Sequence, residues 1–145
     1  MNSLFGAALA SLPHGAEFRF LDEILAVDPG LSAAATYTVR GDEPFLKGHF
    51  PGEPMFPGVL MVEAAAQLVG VVARSRDFSH TTRLRLTALR AVKILGTARP
   101  GQTIHFEAEL MGKLGHLFQA EASASVEGKT ILHAVLTLSE EQADP

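Results

Sequence analysis

The sequence predicts an α+β domain in which one long helix is wrapped by a curved antiparallel sheet of about five to six strands. The stretch VLMVEAAAQLVGVVARS has helix formers and apolar residues on every side, so its helix should be buried all round. The second half of the chain alternates apolar and polar residues with a period of two, as strands do. With 145 residues and 47% hydrophobic content, the chain can bury one core. We therefore expect a single domain over residues 1–145.

The first half of the chain predicts a short helix, a hairpin and an irregular segment. Residues 1–12 place apolar side chains at helical spacing, which predicts an N-terminal helix. From residue 17, EFRFLDEILAVDPG predicts a strand that ends at an Asp-Pro-Gly turn, and AATYTVR predicts its antiparallel partner. Eight glycines and prolines between residues 41 and 58 predict a stiff path without regular structure, directly before the long helix.

The second half predicts the remaining strands. LRLTALRAVKIL, TIHFEAELMG and FQAEASASVEGKTILHAVLTLS each carry strand patterns, and the last is divided by a Glu-Gly-Lys turn. One helix can be buried all round only if such a sheet curves about it. Residues 140–145 predict a frayed tail.

Composition excludes several classes of function. The chain has no cysteine, which removes disulfides, thiolate nucleophiles and cysteine-bound zinc or iron–sulfur sites, and it fits a cytoplasmic location. A net charge of −4 argues against nucleic acid as a partner. No window approaches the roughly 20 apolar residues of a membrane span, so we expect no membrane insertion. No two histidines have metal-site spacing, so we expect no metal.

The basic residues are unevenly distributed. Seven of the twelve lie between residues 74 and 99, where Asp77 is the only acid. Such a cluster is either a solvated face or a docking surface for an acidic partner, and both interpretations stay open. The seven are Arg74, Arg76, Arg83, Arg85, Arg90, Lys93 and Arg99.

The stretch KGHFPGEPMFPGVLMVE contains three candidate functional groups. Glu63 lies among apolar residues of the predicted helix, where a carboxylate is costly unless it is paired, hydrogen-bonded or protonated. It is either a buried group satisfied by backbone groups or by Gln67 one turn later, or an acid that donates a proton or a hydrogen bond. His49 lies between rigid neighbours, and catalysis favours a base whose position is fixed, although a loop histidine is often incidental. Gly58, after Pro57, offers a helix N-terminal amide to an oxyanion.

Together these groups can remove a proton next to a carbonyl. A base takes the proton, the amide stabilises the charge on the carbonyl oxygen, and the acid assists a leaving group. The other histidines have ordinary interpretations as surface, turn or strand residues: His14, His80, His105, His116 and His133.

The segment EPFLKGHFPGEPMFPGVLMVEAAAQLVG closely resembles the signature of the (3R)-3-hydroxyacyl-[acyl-carrier-protein] dehydratases of bacterial fatty acid synthesis, a hotdog-fold family. SLPHGAEFRFLDEILAVDPG and RPGQTIHFEAEL resemble further segments, so the resemblance covers nearly the whole chain. It implies dehydration of a carrier-bound 3-hydroxyacyl thioester to the trans-2-enoyl thioester, without a cofactor. The pathway would be fatty acid synthesis or a related one that makes polyketides or aryl polyenes.

The resemblance also implies a role for each candidate residue. His49 would remove the proton from C2, Glu63 would assist departure of the 3-hydroxyl as water, and the Gly58 N–H would polarise the carbonyl. The enzyme would be a homodimer in which His49 of one subunit faces Glu63 of the other, and these dimers often form a trimer of dimers. The residues assigned to oxyanion or substrate binding are Gly58, Gln67, Phe50 and Pro57, and Gln67 would also support Glu63.

Comparison of this sequence with the family pattern concerns the branch of the family, the protein partner and the biosynthetic pathway. A glutamate rather than an aspartate in the helix resembles the plain dehydratase branch, which does not isomerise the double bond. Gly15 after LPH, and the segment KILGTARPGQ, depart from the family pattern and leave the pathway open. Acyl carrier proteins are acidic, so the resemblance favours the interpretation of the basic cluster as a docking surface. The arginines assigned to this surface are Arg74, Arg76, Arg83 and Arg85.

Two other functions stay open. A hotdog thioesterase would use a carboxylate and water to cleave the same thioester, and the GHFPG block argues against it. A non-catalytic acyl-binding or scaffolding subunit of a dehydratase complex would not need His49 and Glu63, and both are present.

Overall fold

The computed structural model describes residues 3–47, 52–78 and 83–141. The helices are α1 (Ser3–Ala10), α2 (Pro44–Lys47) and α3 (Gly58–Arg74), with one 3₁₀ turn at Ala16–Phe18. The strands are β1 (Glu23–Asp28), β2 (Ser32–Thr38), β3 (Arg83–Ile94), β4 (Thr103–Leu114), β5 (Leu117–Val126) and β6 (Lys129–Glu141).

All six strands form one antiparallel sheet in the order β1-β2-β4-β5-β6-β3. Four of its five strand pairings contain register shifts, and bulges of this kind bend strands and increase their twist. The inner face of the sheet contacts α3 through β2, β3, β4, β5 and β6. The predicted fold class, a long helix wrapped by a curved antiparallel sheet, is therefore confirmed.

The long helix supplies much of the core. Twelve of its seventeen residues are buried, and Met61, Leu68 and Val69 are fully enclosed. Burial of this kind stabilises a helix because each apolar side chain contributes about 1.5–3 kcal/mol when it leaves water. The first turn is different, since Val59 is 73% exposed. The helix is thus buried as predicted except where it begins.

The chain from Phe18 to Phe20 differs from the prediction. A strand was expected from residue 17, but β1 begins only at Glu23. The reason is tertiary, because the Phe20 N–H donates to Gln67 Oε1 and the Phe18 carbonyl accepts from Gln67 Nε2. A side chain of α3 thus satisfies backbone groups that a neighbouring strand would otherwise have paired.

Two further predictions need correction. The segment 41–58, expected to lack regular structure, contains the one-turn helix α2, because Pro44 occupies a first helical position where no N–H is needed. The tail expected from residue 140 begins no earlier than 142, because Glu140 and Glu141 pair with Leu84 and Arg83 of β3.

Candidate active site

Gly58 opens α3 directly after Pro57, whose backbone is extended. The Pro57 carbonyl accepts the N–H groups of Leu60 and Met61 at 3.0 and 3.1 Å. The Gly58 N–H comes before these first helical bonds, so the helix has no carbonyl to offer it. A Cβ at Gly58 would lie 2.9 Å from Cδ1 of Ile94, so glycine lets the end of β3 approach the helix. The positive end of α3 is therefore suited to a developing oxyanion.

Glu63 lies one to two turns further along α3, and its side chain is 26% exposed. Its Oε1 lies 3.3 Å from Nε2 of Gln67 and 3.3 Å from Nε2 of His14. The carboxyl group predicted to be enclosed by apolar residues is thus only partly buried, because the same face of the helix carries the exposed Val59 one turn earlier. Glu63 thus has one hydrogen-bond donor in Gln67, a second close nitrogen in His14, and access to solvent.

The Gln67 amide is held in one orientation. Its Oε1 accepts the Phe20 N–H at 3.0 Å, and its Nε2 donates to the Phe18 carbonyl at 2.9 Å. Because a backbone N–H only donates and a carbonyl only accepts, the amide cannot be reversed without losing both bonds. Its second Nε2 hydrogen is therefore directed at Glu63. This contact suits the predicted supporting role of Gln67, which remains a prediction.

His14 is the site residue that the sequence interpretation missed. It was assigned an ordinary surface or turn position, but its ring pairs with Glu63 and stacks on Phe18 at a centroid distance of 6.1 Å. Burial lowers the pKa of His14 below its ordinary value; the Glu63 carboxylate opposes this shift, and Arg74 and Arg19 add to it. The only sequence signal was the LPH triplet, and its meaning depends on how the chain folds back onto α3.

Some of the predicted site residues belong to the part of the chain that the structure describes, and two do not. His49 and Phe50 lie outside the described residues. Gly58 and Glu63 are five residues apart, which corresponds to about 7.5 Å of rise and roughly 140° of rotation about the helix. The amide and the carboxyl group of one chain thus lie on different sides of α3.

A cavity of about 60 Å³ adjoins His14, Glu63 and Gln67, and residues Leu84 and Leu86 of β3 bound it on the other side. This volume is far below the roughly 300–1,000 Å³ of small-molecule sites. The described part of one chain therefore does not enclose, beside Glu63, the acyl tunnel that the family resemblance implies. A larger cavity of about 370 Å³ lies on the outer face of the sheet around Glu121 and His133, away from these groups, and we do not assign the acyl chain to it.

The basic residues of the predicted docking surface have different environments. Arg76, Arg83 and Arg85 are exposed, and the Arg85 guanidinium lies 2.5 Å from the Glu141 carboxylate. Arg74 is buried, with 9% of its surface accessible, so it does not present its charge to a partner. The expected exposure of Arg74 is therefore wrong, because Arg74 packs at the end of a helix that the sheet encloses. Docking at Arg76, Arg83 and Arg85 stays a prediction.

Comparison with known proteins identifies the family. Residues 12–135 match the model of the FabA-like domain. The chain belongs to the FabA-like family. Two curated relatives of this FabA-like chain are each named 3-hydroxyacyl-[acyl-carrier-protein] dehydratase FabZ. The relative from Caldicellulosiruptor saccharolyticus is 35% identical over 88% of this chain and 91% of its own. The relative from Acetivibrio thermocellus is 38% identical over 81% of each.

The FabA-like chain also matches solved structures. The dehydratase heterocomplex ApeI:P from Xenorhabdus doucetiae superposes with a TM-score of 0.78 at 21% identity, covering 91% of this chain and 89% of that one. The likeness confirms the hotdog fold. Within residues 3–47, 52–78 and 83–141, no group of three histidine, aspartate or glutamate side chains is placed to hold a metal ion. None of the described helices has the length and apolar character needed to cross a bilayer.

Proposed function

We propose that this FabA-like chain is a hydro-lyase that converts (3R)-3-hydroxyacyl-[acyl-carrier-protein] to the trans-2-enoyl thioester in fatty acid or related acyl-chain biosynthesis. The observation that carries the proposal is its family membership together with two dehydratase relatives at 35 and 38% identity, each matched over most of both chains. The position of Glu63 supports it, because its carboxyl group is reachable from solvent and lies 3.3 Å from Nε2 of both Gln67 and His14, which hold it in place.

The reaction assigns one step to each group. His49 takes the proton from C2, the C2–H electrons form the new double bond, and the C3–O bond breaks. Glu63 gives its proton to the leaving hydroxyl, which departs as water, while the Gly58 N–H stabilises negative charge on the thioester oxygen. The proton on His49 then returns to Glu63 through solvent before the next cycle. The elimination is redox-neutral, so the steps as written require no redox cofactor.

The exposed apolar residues near the start of α3 support a homodimer. Val59, Ile94 and Leu95 are 73%, 49% and 59% exposed, and β3 is the terminal strand of the sheet. Proteins rarely leave such groups beside an open strand edge without a partner. A second copy of this chain is the partner that the family resemblance implies, with His49 of one subunit facing Glu63 of the other. The trimer of dimers and the cytoplasmic location stay predictions from the sequence.

The enzymatic proposal is tested by incubating the protein with crotonyl and 3-hydroxybutyryl thioesters. The 2-enoyl absorbance and the release of free thiol are followed together. Reversible hydration without thiol release is expected for the dehydratase. Thiol release would instead establish the thioesterase, and the absence of both reactions would favour the acyl-binding or scaffolding subunit.

Charge reversal at the exposed arginines tests carrier-protein docking. We expect Arg76→Glu combined with Arg83→Glu to lower kcat/KM for the carrier-bound substrate about 10-fold, because attraction between opposite charges speeds the encounter. The same substrate on pantetheine should change by less than about twofold. Steady-state kinetics at low and high salt measures both, and salt should reduce the difference between them.

Lys129→Glu serves as the matched control for this docking test. Lys129 is exposed and begins β6, whereas the far end of that strand pairs with Arg83. The Lys129→Glu substitution alters charge at a distance from the proposed surface and should leave kcat/KM for both substrates nearly unchanged. Equal losses for carrier-bound and pantetheine substrates in the arginine variant would contradict docking at this surface.

A further inference from the structure

Two N–H donors from different parts of the chain converge on one oxygen of Glu63. Gln67 donates a hydrogen bond from the same helix, and His14, in the segment before the 3₁₀ turn, lies at ion-pair distance; each Nε2 atom is 3.3 Å from Oε1. Gln67 contributes its Nε2 as the donor because the Phe18 and Phe20 backbone groups fix the orientation of its amide. One of the two lone pairs of Oε1 therefore accepts from Gln67, and the imidazole Nε2 lies 3.3 Å from the same oxygen.

The His14 tautomer follows from its two nitrogens. Nε2 has an acceptor in Glu63, whereas Nδ1 is buried and has no hydrogen-bond partner among the described residues. A neutral imidazole carries one N–H, and the ring satisfies that donor only by placing the hydrogen on Nε2. The lowered pKa of His14 keeps the ring neutral near pH 7. Nε2–H is thus the donor and Glu63 Oε1 the acceptor.

Neighbouring groups hold the His14 ring in this position. The Phe18 ring stacks on it, with an interplanar angle of 28°, and Phe18 in turn packs edge-on against Phe20 at 4.9 Å. The Arg19 guanidinium bonds the carbonyls of Leu12 and His14, each at 3.4 Å. Residues 12–20 therefore contain both the imidazole of His14 and the backbone groups that bind the Gln67 amide.

We infer that His14 is a positioning residue that, together with Gln67, makes Oε1 of Glu63 a pure acceptor and so places the acid proton on Oε2. An oxygen that receives two N–H bonds has no lone pair left to carry a proton in the same plane, so Oε2 becomes the hydroxyl oxygen of the neutral acid. After proton transfer, the same two donors stabilise the carboxylate. This inference rests on the proposed role of Glu63 as the proton donor.

Paired substitutions at His14 test the inference. His14→Leu removes the donor, and we expect kcat to fall about 10- to 100-fold with KM changed less than about threefold, because a misplaced proton affects the chemical step. His14→Gln places an amide Nε2 near the original donor and should retain kcat within about threefold. His105→Leu, at an exposed position of β4, is the control for loss of a histidine and should behave as the parent protein.

A double-mutant cycle separates positioning from a general structural effect. On a Glu63→Gln background the acid proton is already absent, so adding His14→Leu should cost less than about threefold in the residual rate. If His14→Leu costs the same factor with and without Glu63, or if His14→Gln loses as much as His14→Leu while both remain folded by circular dichroism, the inference is wrong.

Nitrogen-15 NMR of the imidazole provides a readout that is independent of activity. The parent protein should show the Nε2–H tautomer, with the buried Nδ1 unprotonated. An Nδ1–H tautomer would overturn the inference even if the protein proved to be an active dehydratase. Conversely, an inactive parent protein with the expected tautomer would count against the proposed function and leave the His14 contact intact.

Discussion

Glu63→Gln is expected to lower kcat for dehydration by about 10³-fold while the protein remains folded. The reason is chemical, because the amide keeps the size of the carboxyl group and its oxygen can still accept from His14 and Gln67, but it cannot protonate the leaving hydroxyl. General acids contribute about 10²- to 10⁴-fold, so the loss should be easy to measure. The rate of 2-enoyl formation reports kcat, and circular dichroism reports the fold.

His49→Ala should produce a loss of similar size, because it removes the residue proposed as the base for the C2 proton. Mixing the two inactive variants after reversible subunit exchange then tests the shared site. A heterodimer of His49→Ala and Glu63→Gln has one site with both substitutions and one site with neither. Recovery toward half of the parent rate per heterodimer is expected. Exchange of subunits without recovery would show that each chain supplies its own His49 and Glu63.

The sequence predicted the elements that local pattern determines. The apolar composition of α3 and the period of two in β4, β5 and β6 are properties of neighbouring residues, so they can be read without knowing the fold. The candidate residues Glu63 and Gln67 were also found in this way, because their four-residue spacing places them on one helical face.

What the sequence could not show depends on contacts between distant segments. The strand expected from residue 17 is replaced by a 3₁₀ turn and an extended stretch because Gln67, 47 residues from Phe20, takes the backbone groups. His14 reaches Glu63 by the same long-range closure. Arg74 carries a charge that predicts exposure, but its position near the end of a wrapped helix buries it. These contacts join distant segments, so they leave no periodic pattern or fixed residue spacing in the sequence that could predict them.

Glu43 is a buried carboxylate with a structural role. It is 3% exposed and accepts hydrogen bonds from the Tyr37 hydroxyl at 2.7 Å, the Arg40 N–H at 3.1 Å and the Gly41 N–H at 2.6 Å. Burial works to raise the pKa of Glu43, but the hydrogen bonds from Tyr37 and the backbone amides outweigh it, so the pKa lies below its ordinary value. Burial and the Glu43 hydrogen bond raise the pKa of Tyr37.

The lowered pKa of Glu43 gives its stability effect a definite sign. A carboxyl group whose pKa is lower in the folded state stabilises the fold above the pKa of the unfolded chain, and this contribution is lost as the pH falls through the folded value. The carboxylate accepts two backbone N–H groups of the turn that leads into α2, so its protonation weakens the acceptor that these donors use. Unfolding at acidic pH should therefore involve this group.

Glu43→Gln is expected to lower the free energy of unfolding at pH 7 by about 3 kcal/mol, because an amide NH₂ must face an N–H or hydroxyl donor that the carboxylate satisfied. For a chain of this size the loss corresponds to a fall in Tm of roughly 10 °C at fixed protein concentration. The variant should also lose less stability than the parent protein between neutral and acidic pH, since its side chain does not titrate.

Glu121→Gln is the control, because it removes a carboxylate whose side chain is 52% exposed; it should shift the free energy of unfolding by less than about 0.5 kcal/mol. A Glu43→Gln protein with the parent Tm and the parent acid sensitivity would show that the buried network does not depend on an ionised carboxylate.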